Sequence, residues 1–229
     1  MNRLFSLSLL LLVVAPCLTS QAQSSSDRVE VTFTAVSLAG PIGKLDYINS
    51  SQLETIHIVH GLRTNPVKYR GPRTMPFYAH GNTQESDVKI EELPPLATVT
   101  FPSSGNYLLL FAKNGSQLKI LPTPSNIDDF KPGMYRFVNM APFDLALRVG
   151  DASGVVSSNT YFDVDASSGQ GRSRRAMIYS LLENQEPRRS FTGGLEYDEG
   201  RRMIYIITGK PGGRPGRINI IPIIDSVES

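Results

Sequence analysis

Residues 107–121 read Tyr-Leu-Leu-Leu-Phe-Ala-Lys-Asn-Gly-Ser-Gln-Leu-Lys-Ile-Leu, in which two apolar runs flank the dipeptide Asn114-Gly115. Both residues of that dipeptide tolerate the positive φ that a tight turn between two strands requires. The stretch therefore predicts a β-hairpin. It also sets the expectation for the rest of the chain, where similar short apolar runs recur.

Strand signals extend in both directions from this hairpin. Between residues 29 and 35, apolar residues alternate with Glu30, Thr32 and Thr34, a period of two that predicts a half-buried strand. Further runs between turn clusters lie at 45–48, 55–59, 97–101, 107–112, 118–121, 135–138, 145–149, 161–164, 203–208 and 218–224. Helical candidates are one turn at 125–130 and the run 176–183, whose pattern fits either a strand or a short helix.

The composition agrees with a folded, turn-rich protein. The chain has 229 residues, 40% hydrophobic and 19% charged, with 19 Gly, 16 Pro and no Trp. These values exclude a disordered chain or a coiled coil. The balance of 23 basic against 21 acidic residues gives a net charge of +2, so no nucleic-acid partner is expected. A single cysteine excludes a disulfide framework and a Cys-based zinc site.

The N-terminal residues have the pattern of an export signal. Arg3 is followed by an apolar run at 4–14 and then by small polar residues. This order is typical of a secretory signal peptide, and Ser-Gln-Ala at 20–22 predicts cleavage before Gln23, which removes residues 1–22. The run is shorter than the ~20 residues that span a bilayer, so the mature chain is expected to lack a transmembrane segment.

Cys17 leaves a second hypothesis open for the same segment. In a bacterial lipoprotein signal this cysteine would be acylated and would anchor the chain to a membrane. Pro16 argues against that signal, because the residue before a lipidated cysteine is normally Gly, Ala or Ser. An exported chain without structural disulfides favours a bacterial secreted or periplasmic protein.

The two halves of the chain share four segments in the same order, which predicts an internal duplication. Residues 46–49, 56–61, 107–113 and 118–122 match 136–139, 145–150, 203–210 and 218–222. A boundary at 122–131 then separates a first domain at 28–126 from a second at 127–229. With six or seven strands expected in each, we predict an all-β protein of two tandem immunoglobulin-like β-sandwich domains.

Residues 135–142, Tyr-Arg-Phe-Val-Asn-Met-Ala-Pro, precede a run at 145–150 that ends in Gly. This pattern resembles the opening of a bacterial extracellular β-sandwich repeat family of unknown function. The first half fits less closely, because Gln52 follows Ser51 where that family has Pro. Residues 69–72 and 76–78 also resemble uncharacterised secreted proteins of the verrucomicrobial type. These resemblances imply a fold and an extracellular location, and they bring no catalytic residue or cofactor.

Residues with potential metal chemistry are sparse. His57 and His60 are three positions apart on a predicted strand, so they point to opposite faces and do not converge on a metal; with His80 they are the only histidines. Residues 163–169 carry oxygen side chains at alternate positions, as a calcium loop does. Ser168 and Arg174 stand where an EF-hand has Gly and Glu, which favours a turn instead.

Signals for catalysis or sugar binding are also weak. No Gly-x-Ser-x-Gly nucleophile elbow is present, and the acidic pairs 91–92 and 128–129 are adjacent, so on a strand their carboxylates diverge. No catalytic residue, metal ligand or cofactor is predicted. Lectins usually stack sugars on exposed aromatic rings, and in a chain without Trp the candidates are Tyr47, Tyr69, Phe77 and Tyr78.

Arginines cluster in the second half, where they suggest a face for an anionic cell-envelope polymer or protein. The cluster comprises Arg172, Arg174, Arg175, Arg188, Arg189, Arg201 and Arg202, with Arg214 and Arg217 nearby. A second interpretation is that these charges maintain solubility and protect edge strands. We therefore expect a secreted, non-enzymatic structural or adhesive interaction module of unknown ligand. The alternatives are a polysaccharide-binding module of the cell envelope and an extracellular hydrolase with scattered site residues.

Overall fold

The computed structural model describes residues 28–226, except 39, 82–89, 115–116, 170, 184 and 211. In this part of the chain there are sixteen β-strands, one 3-10 turn at Ile90–Glu92 and no α-helix, so the all-β prediction is confirmed. None of the described residues forms a helix able to cross a membrane. The predicted signal peptide, with Cys17, lies outside the described residues.

The first half contains eight strands in two four-stranded sheets. In chain order they are β1 (Arg28–Ser37), β2 (Gly43–Asn49), β3 (Gln52–Ile58), β4 (Val67–Pro72), β5 (Thr74–Ala79), β6 (Ala97–Thr100), β7 (Gly105–Asn114) and β8 (Gln117–Pro124). One sheet has the order β4-β1-β7-β8 and the other the order β3-β2-β5-β6. Strands β7 and β8 pair antiparallel, as the sequence around Asn114 predicts.

The second half contains eight further strands, also in two sheets of four. They are β9 (Met134–Asn139), β10 (Asp144–Val149), β11 (Ala152–Val156), β12 (Tyr161–Asp165), β13 (Ser173–Leu181), β14 (Arg188–Glu196), β15 (Arg201–Gly209) and β16 (Ile218–Ser226). The sheet orders are β12-β9-β15-β16 and β11-β10-β13-β14. Adding eight to each strand number of the first half reproduces these orders, and the parallel pairs β1–β7 and β9–β15 correspond as well.

Several details differ from the sequence-based expectation. Each half has eight strands rather than six or seven, because the segments 67–79, 152–156 and 188–196 form strands although each contains Gly or Pro, which indicate turns. The run 176–183 falls largely in strand β13, and 125–130 forms a turn in which the Phe130 amide donates to the Asn126 carbonyl at 3.0 Å. The predicted duplication matched 136–139 with 46–49 in β2, and 145–150 with 56–61 at the end of β3. By sheet position, 136–139 and 145–150 lie in β9 and β10, which correspond to β1 and β2, so the predicted match is displaced by one strand.

Each pair of sheets encloses an apolar core, as in a β-sandwich. In the first half, strands of both sheets contribute rings such as Phe77 and Phe111, whose centroids lie 5.5 Å apart. In the second half, Phe137 and Tyr205 stack at 5.3 Å. Aromatic rings provide much of the buried apolar area that stabilises both sandwiches.

A third core joins the two halves. Leu108 and Leu110 of β7 pack with Ile204 and Ile206 of β15, on the faces of these strands that point away from the two sandwich cores. The four sheets therefore form a stack of four layers, in which the two inner sheets are covered on both faces. This explains why residues 107–112 and 203–208 are nearly continuous apolar runs rather than alternating ones.

The segment between the halves is held on both sides. Phe130 is completely buried in the third core. Arg202 donates to the Phe130 carbonyl at 2.9 Å and pairs with Asp225 at 2.5 Å, and Asp225 also pairs with Arg63 of the first half. Arg136 donates to the Pro124 carbonyl. The two sandwiches are thus bound through apolar packing and buried hydrogen bonds.

Candidate functional site

The predicted arginine cluster does not form one surface. Arg174 and Arg202 are buried, with exposed fractions of 5% and 7%, and both belong to the interior. Arg174 donates to the carbonyls of Ala166 at 2.6 Å and Gly171 at 2.8 Å, and its guanidinium lies 3.8 Å from the centre of the Tyr197 ring. Burial lowers the pKa of Arg202 below its usual value. These two residues are therefore excluded from an exposed binding face.

Three further arginines of the cluster are used locally or lie apart. Arg188 donates to the Pro215 carbonyl at 2.7 Å, and Arg201 pairs with Asp198 at 3.3 Å at the start of β15. Arg172 is exposed in the loop before β13. Of the predicted cluster, Arg175 and Arg189 remain, and these two project from the same face of one sheet.

That face is the outer surface of the sheet β11-β10-β13-β14. In β13, Ala176 and Ile178 point into the core, so Arg175, Met177 and Tyr179 point outward. In β10, Arg148 projects outward between the buried residues Leu147 and Val149. We define the arginine face as the exposed Arg148, Arg175 and Arg189 together with the half-buried Met177 and Tyr179.

Strand register brings these five side chains together. Arg148 lies opposite Met177, and Arg189 lies opposite Tyr179, so the two arginines flank the Met177–Tyr179 pair from opposite sides. Arg175 precedes Met177 by two residues on β13 and shares its face. The Tyr179 hydroxyl lies 4.0 Å from the Met177 sulfur. A central aromatic and thioether pair is therefore surrounded by three positive charges.

The three guanidinium groups have no partner in the described part of the chain. Arg148, Arg175 and Arg189 form no ion pair and donate no hydrogen bond to those residues. The carboxylates on the same face lie at its margins. Asp144, at the beginning of β10, accepts a hydrogen bond from the Ser158 amide at 2.9 Å, and Glu196 ends β14. The centre of the face is consequently positive.

A β-bulge determines where Arg189 points. The register of β13 and β14 changes between Ile178, opposite Phe191, and Tyr179, opposite Arg189. Phe191 packs against the second core, and strict alternation would turn Arg189 inward as well. The extra residue, Ser190, reverses the alternation and places Arg189 beside Tyr179. Periodicity in the sequence does not reveal such a reversal. Arg148 was missing from the predicted arginine cluster because it is a single arginine in an apolar strand.

The aromatic residues considered for sugar stacking are not available. Tyr47, Tyr69, Phe77 and Tyr78 are all buried, with at most 5% exposed, and the first three belong to the first core. Burial and the Glu54 carboxylate, which accepts a hydrogen bond from the Tyr47 hydroxyl at 2.6 Å, raise the pKa of Tyr47. Burial raises the pKa of Tyr69 to about 12. These four aromatic residues therefore contribute to the fold and cannot stack on a sugar.

The histidines occupy separate environments. His57 is exposed, and His60 accepts a hydrogen bond from the Gly40 amide at Nδ1, at 3.2 Å. His80 Nδ1 lies 2.9 Å from the buried carboxylate of Asp46, which also accepts from the Thr55 hydroxyl at 2.6 Å. The described residues contain no cluster of three or more His, Cys, Asp or Glu that can hold a metal ion.

The stretch considered as a calcium loop has other roles. The Asp163 carboxylate binds Arg136 through two contacts of 2.6 Å. Asp165 accepts a hydrogen bond from the Ser167 amide at 2.9 Å, and the hydrogen bonds from Ser167 lower the pKa of this carboxyl. Both carboxylates thus have partners within the chain, as expected of a turn at the end of a strand.

The segment with family resemblance is organised around Asn139, which is completely buried. Its side-chain amide donates to the carbonyls of Phe143 and Val156 at 2.9 Å and accepts from the Ala141 amide at 3.0 Å. These bonds fix the connection between β9 and β10. The motif therefore has a structural role, since the Asn139 side chain is fully used by the backbone around it and Arg136 is bound to Asp163 and to the Pro124 carbonyl.

A comparison with models of known protein families finds no match. A comparison with curated proteins finds no similar sequence.

Proposed function

We propose that the protein is a secreted, non-enzymatic structural or adhesive interaction module that binds an anionic partner through the arginine face. The observation that carries this proposal is the group formed around Met177 and Tyr179 by the guanidinium groups of Arg148, Arg175 and Arg189, which have no partner among the described residues. Guanidinium groups bind carboxylate, sulfate and phosphate oxygens with two parallel hydrogen bonds. A sheet surface with three of them suits an extended polymer.

The competing interpretation, protection of edge strands, does not account for the whole face. Charges protect a sheet when they project from a strand whose backbone is unpaired on one side. Arg189 lies in the edge strand β14, but Arg148 and Arg175 lie in β10 and β13, which are the two central strands of the sheet. Charges on central strands contribute nothing to edge protection. The other part of the competing interpretation, solubility, requires exposed charge but not three arginines grouped around one apolar pair, so this grouping favours binding.

We further propose that the halves are tandem immunoglobulin-like sandwich domains, at 28–126 and 127–229, that arose by duplication. The shared strand order and the equivalent parallel pairs support this. The third core adds support, because Leu108 and Leu110 of β7 meet Ile204 and Ile206 of the corresponding strand β15. Equivalent faces packing on each other is the arrangement of a two-fold dimer, here within one chain.

The binding proposal is tested with polyphosphate as a simple polyanion. The variant Arg148→Ser/Arg175→Ser/Arg189→Ser is compared with Lys68→Ser/Arg70→Ser/Lys113→Ser, which removes the same charge from exposed positions of the first half. We expect the first variant to bind at least tenfold more weakly and with a shallower dependence on salt, because fewer counterions are released. The control variant should bind almost as the unaltered protein does.

Both variants should keep the thermal midpoint of the unaltered protein, since exposed charges contribute little to stability. The buried Arg174 is left intact, because its removal would leave the Ala166 and Gly171 carbonyls without a donor. Equal losses in the two variants would indicate an effect of net charge alone. That result, or binding that does not change with salt, would contradict the proposal.

A further inference from the structure

We infer that the polymer bound by the arginine face is an acidic polysaccharide, one of whose sugar rings lies on Tyr179. The inference rests on the proposed function, which it narrows from any anionic partner to one chemical class. Sugar rings have apolar C–H faces that pack on aromatic rings, whereas their carboxylate or sulfate groups pair with guanidinium groups. Both kinds of group are present on this face, side by side.

Tyr179 is placed as a platform for a ring. It is the only aromatic residue on this face of the sheet in the part of the chain that the structure describes. Its cross-strand neighbours are Ala146 and Arg189, so one adjacent strand presents a single methyl group beside it and the other a positive charge. Val155, 60% exposed, lies opposite Ala146 and extends the apolar area towards β11.

The spacing of the charges suits a linear chain that crosses the strands. Arg148 and Arg189 lie on opposite sides of the Met177–Tyr179 pair, two strand spacings and two residues apart. With about 4.8 Å between strands and about 3.4 Å per residue, their Cα atoms are roughly 12 Å apart. A polymer that spans this distance places acidic groups at both ends and a ring at the centre. Gly194 lies opposite Arg175 and has no side chain, so nothing projects from the sheet at that position to obstruct a bound polymer.

Other polyanions fit this face less well. Polyphosphate has no ring to use Tyr179. Single-stranded nucleic acid is bound by several stacked aromatic residues in a basic groove. Here the described sheet face offers one aromatic side chain and carries the carboxylates of Asp144 and Glu196 at its margins. A protein partner would gain little from burial, since the described face offers little apolar area: Val155 is exposed, and Ala146, Met177, Tyr179 and Leu181 are half-buried.

The test compares polygalacturonate with dextran, polyphosphate and single-stranded DNA for the unaltered protein and for Tyr179→Ala and Tyr179→Phe. We expect polygalacturonate to bind and the neutral dextran not to bind. Tyr179→Ala should weaken polygalacturonate binding about fivefold or more and leave polyphosphate binding unchanged. Tyr179→Phe keeps the ring and should bind polygalacturonate as the unaltered protein does. Thermal midpoints of the variants show that the fold is kept.

The outcomes separate this inference from the proposed function. Suppose that the triple arginine variant loses polyphosphate binding but that the unaltered protein binds polygalacturonate no better than dextran. The proposed function then stands, and the assignment of an acidic polysaccharide as the ligand is wrong. The same conclusion follows if Tyr179→Ala leaves polygalacturonate binding intact, or if single-stranded DNA binds more tightly than polygalacturonate. If the triple variant binds polyphosphate like the unaltered protein, the proposed function itself fails.

Discussion

The guanidinium carbon of Arg136 lies 4.4 Å from the centre of the Phe130 ring and at the same distance from the Tyr161 ring. Arg136 is only 1% exposed, and its positive charge is balanced by Asp163. Phe130 belongs to the segment that joins the two halves, whereas Arg136 and Tyr161 belong to the second half. This contact therefore fixes the connecting segment to one sandwich while the Phe130 ring completes the core between both.

Phe130→Ala tests whether the two halves unfold together. The change removes a fully buried ring from the third core, and we expect it to lower the free energy of unfolding by about 3–5 kcal/mol. Because that core is shared, a single transition should be seen by urea denaturation with both circular dichroism and tyrosine fluorescence. Ile127→Ala, at a position 43% exposed in the same segment, should change stability by less than about 1 kcal/mol. Two separate transitions in the unaltered protein would contradict a shared core.

The buried ion pair between Arg136 and Asp163 should contribute far more than an exposed one. Arg136→Met leaves the partly buried Asp163 carboxylate and the Pro124 carbonyl without their donor, at a cost of about 3 kcal/mol. Arg201→Met removes the exposed pair with Asp198 and should cost less than about 1 kcal/mol. Urea denaturation measures both. Equal effects would show that burial of the first pair has no energetic consequence.

Buried tyrosines should make the fold sensitive to alkali. Burial raises the pKa of Tyr69 and of Tyr205 to about 12, above the value of about 10 in an unfolded chain. The native state therefore holds these protons more tightly, and the stability they contribute is complete below about pH 10 and is lost as the pH rises through about 12. The free energy of unfolding, measured from pH 9 to 12, should fall over this range. In Tyr69→Phe/Tyr205→Phe the fall should be shallower, and an unchanged slope would refute the assignment.

Asn139→Ala should destabilise the second half through unpaired backbone groups. The substitution leaves the carbonyls of Phe143 and Val156 and the amide of Ala141 without their side-chain partner, at a cost of about 3 kcal/mol. Asn219→Ala, at an exposed position of β16, is the matched control and should have little effect. Thermal unfolding of the two variants separates the outcomes. Similar midpoints would mean that water replaces the lost amide.

Export can be tested on the secreted material. N-terminal sequencing should begin at Gln23 if residues 1–22 are removed as a signal peptide. Acylation at Cys17 would instead give a blocked, lipid-modified terminus that partitions into detergent. That result would show that the protein is anchored to a membrane and not freely secreted, and Cys17→Ser should then release it from the membrane.

Part of the candidate site was readable from the sequence. The clustering of arginines in the second half led to Arg175 and Arg189, because charge density is a property of the chain itself. The predicted arginine cluster omitted Arg148 and wrongly included the buried Arg174 and Arg202, because the amino-acid sequence does not show which side of a strand faces a core. The bulge at Ser190 is a further example, since it reverses the alternation that sequence reasoning relies on.

The sequence by itself determined the local structure. The hairpin around Asn114, the alternation that begins at Val29 and the strand-rich character of the chain follow from residues whose preferences act over a few positions. The tertiary structure alone decided how those strands are layered. The run at 107–112 has an apolar face on each side, and only the partner sheets show that one side meets a sandwich core and the other meets β15. Burial depends on contacts between residues that are distant in sequence, and this is why the same arginine type is interior at Arg136 and exposed at Arg175.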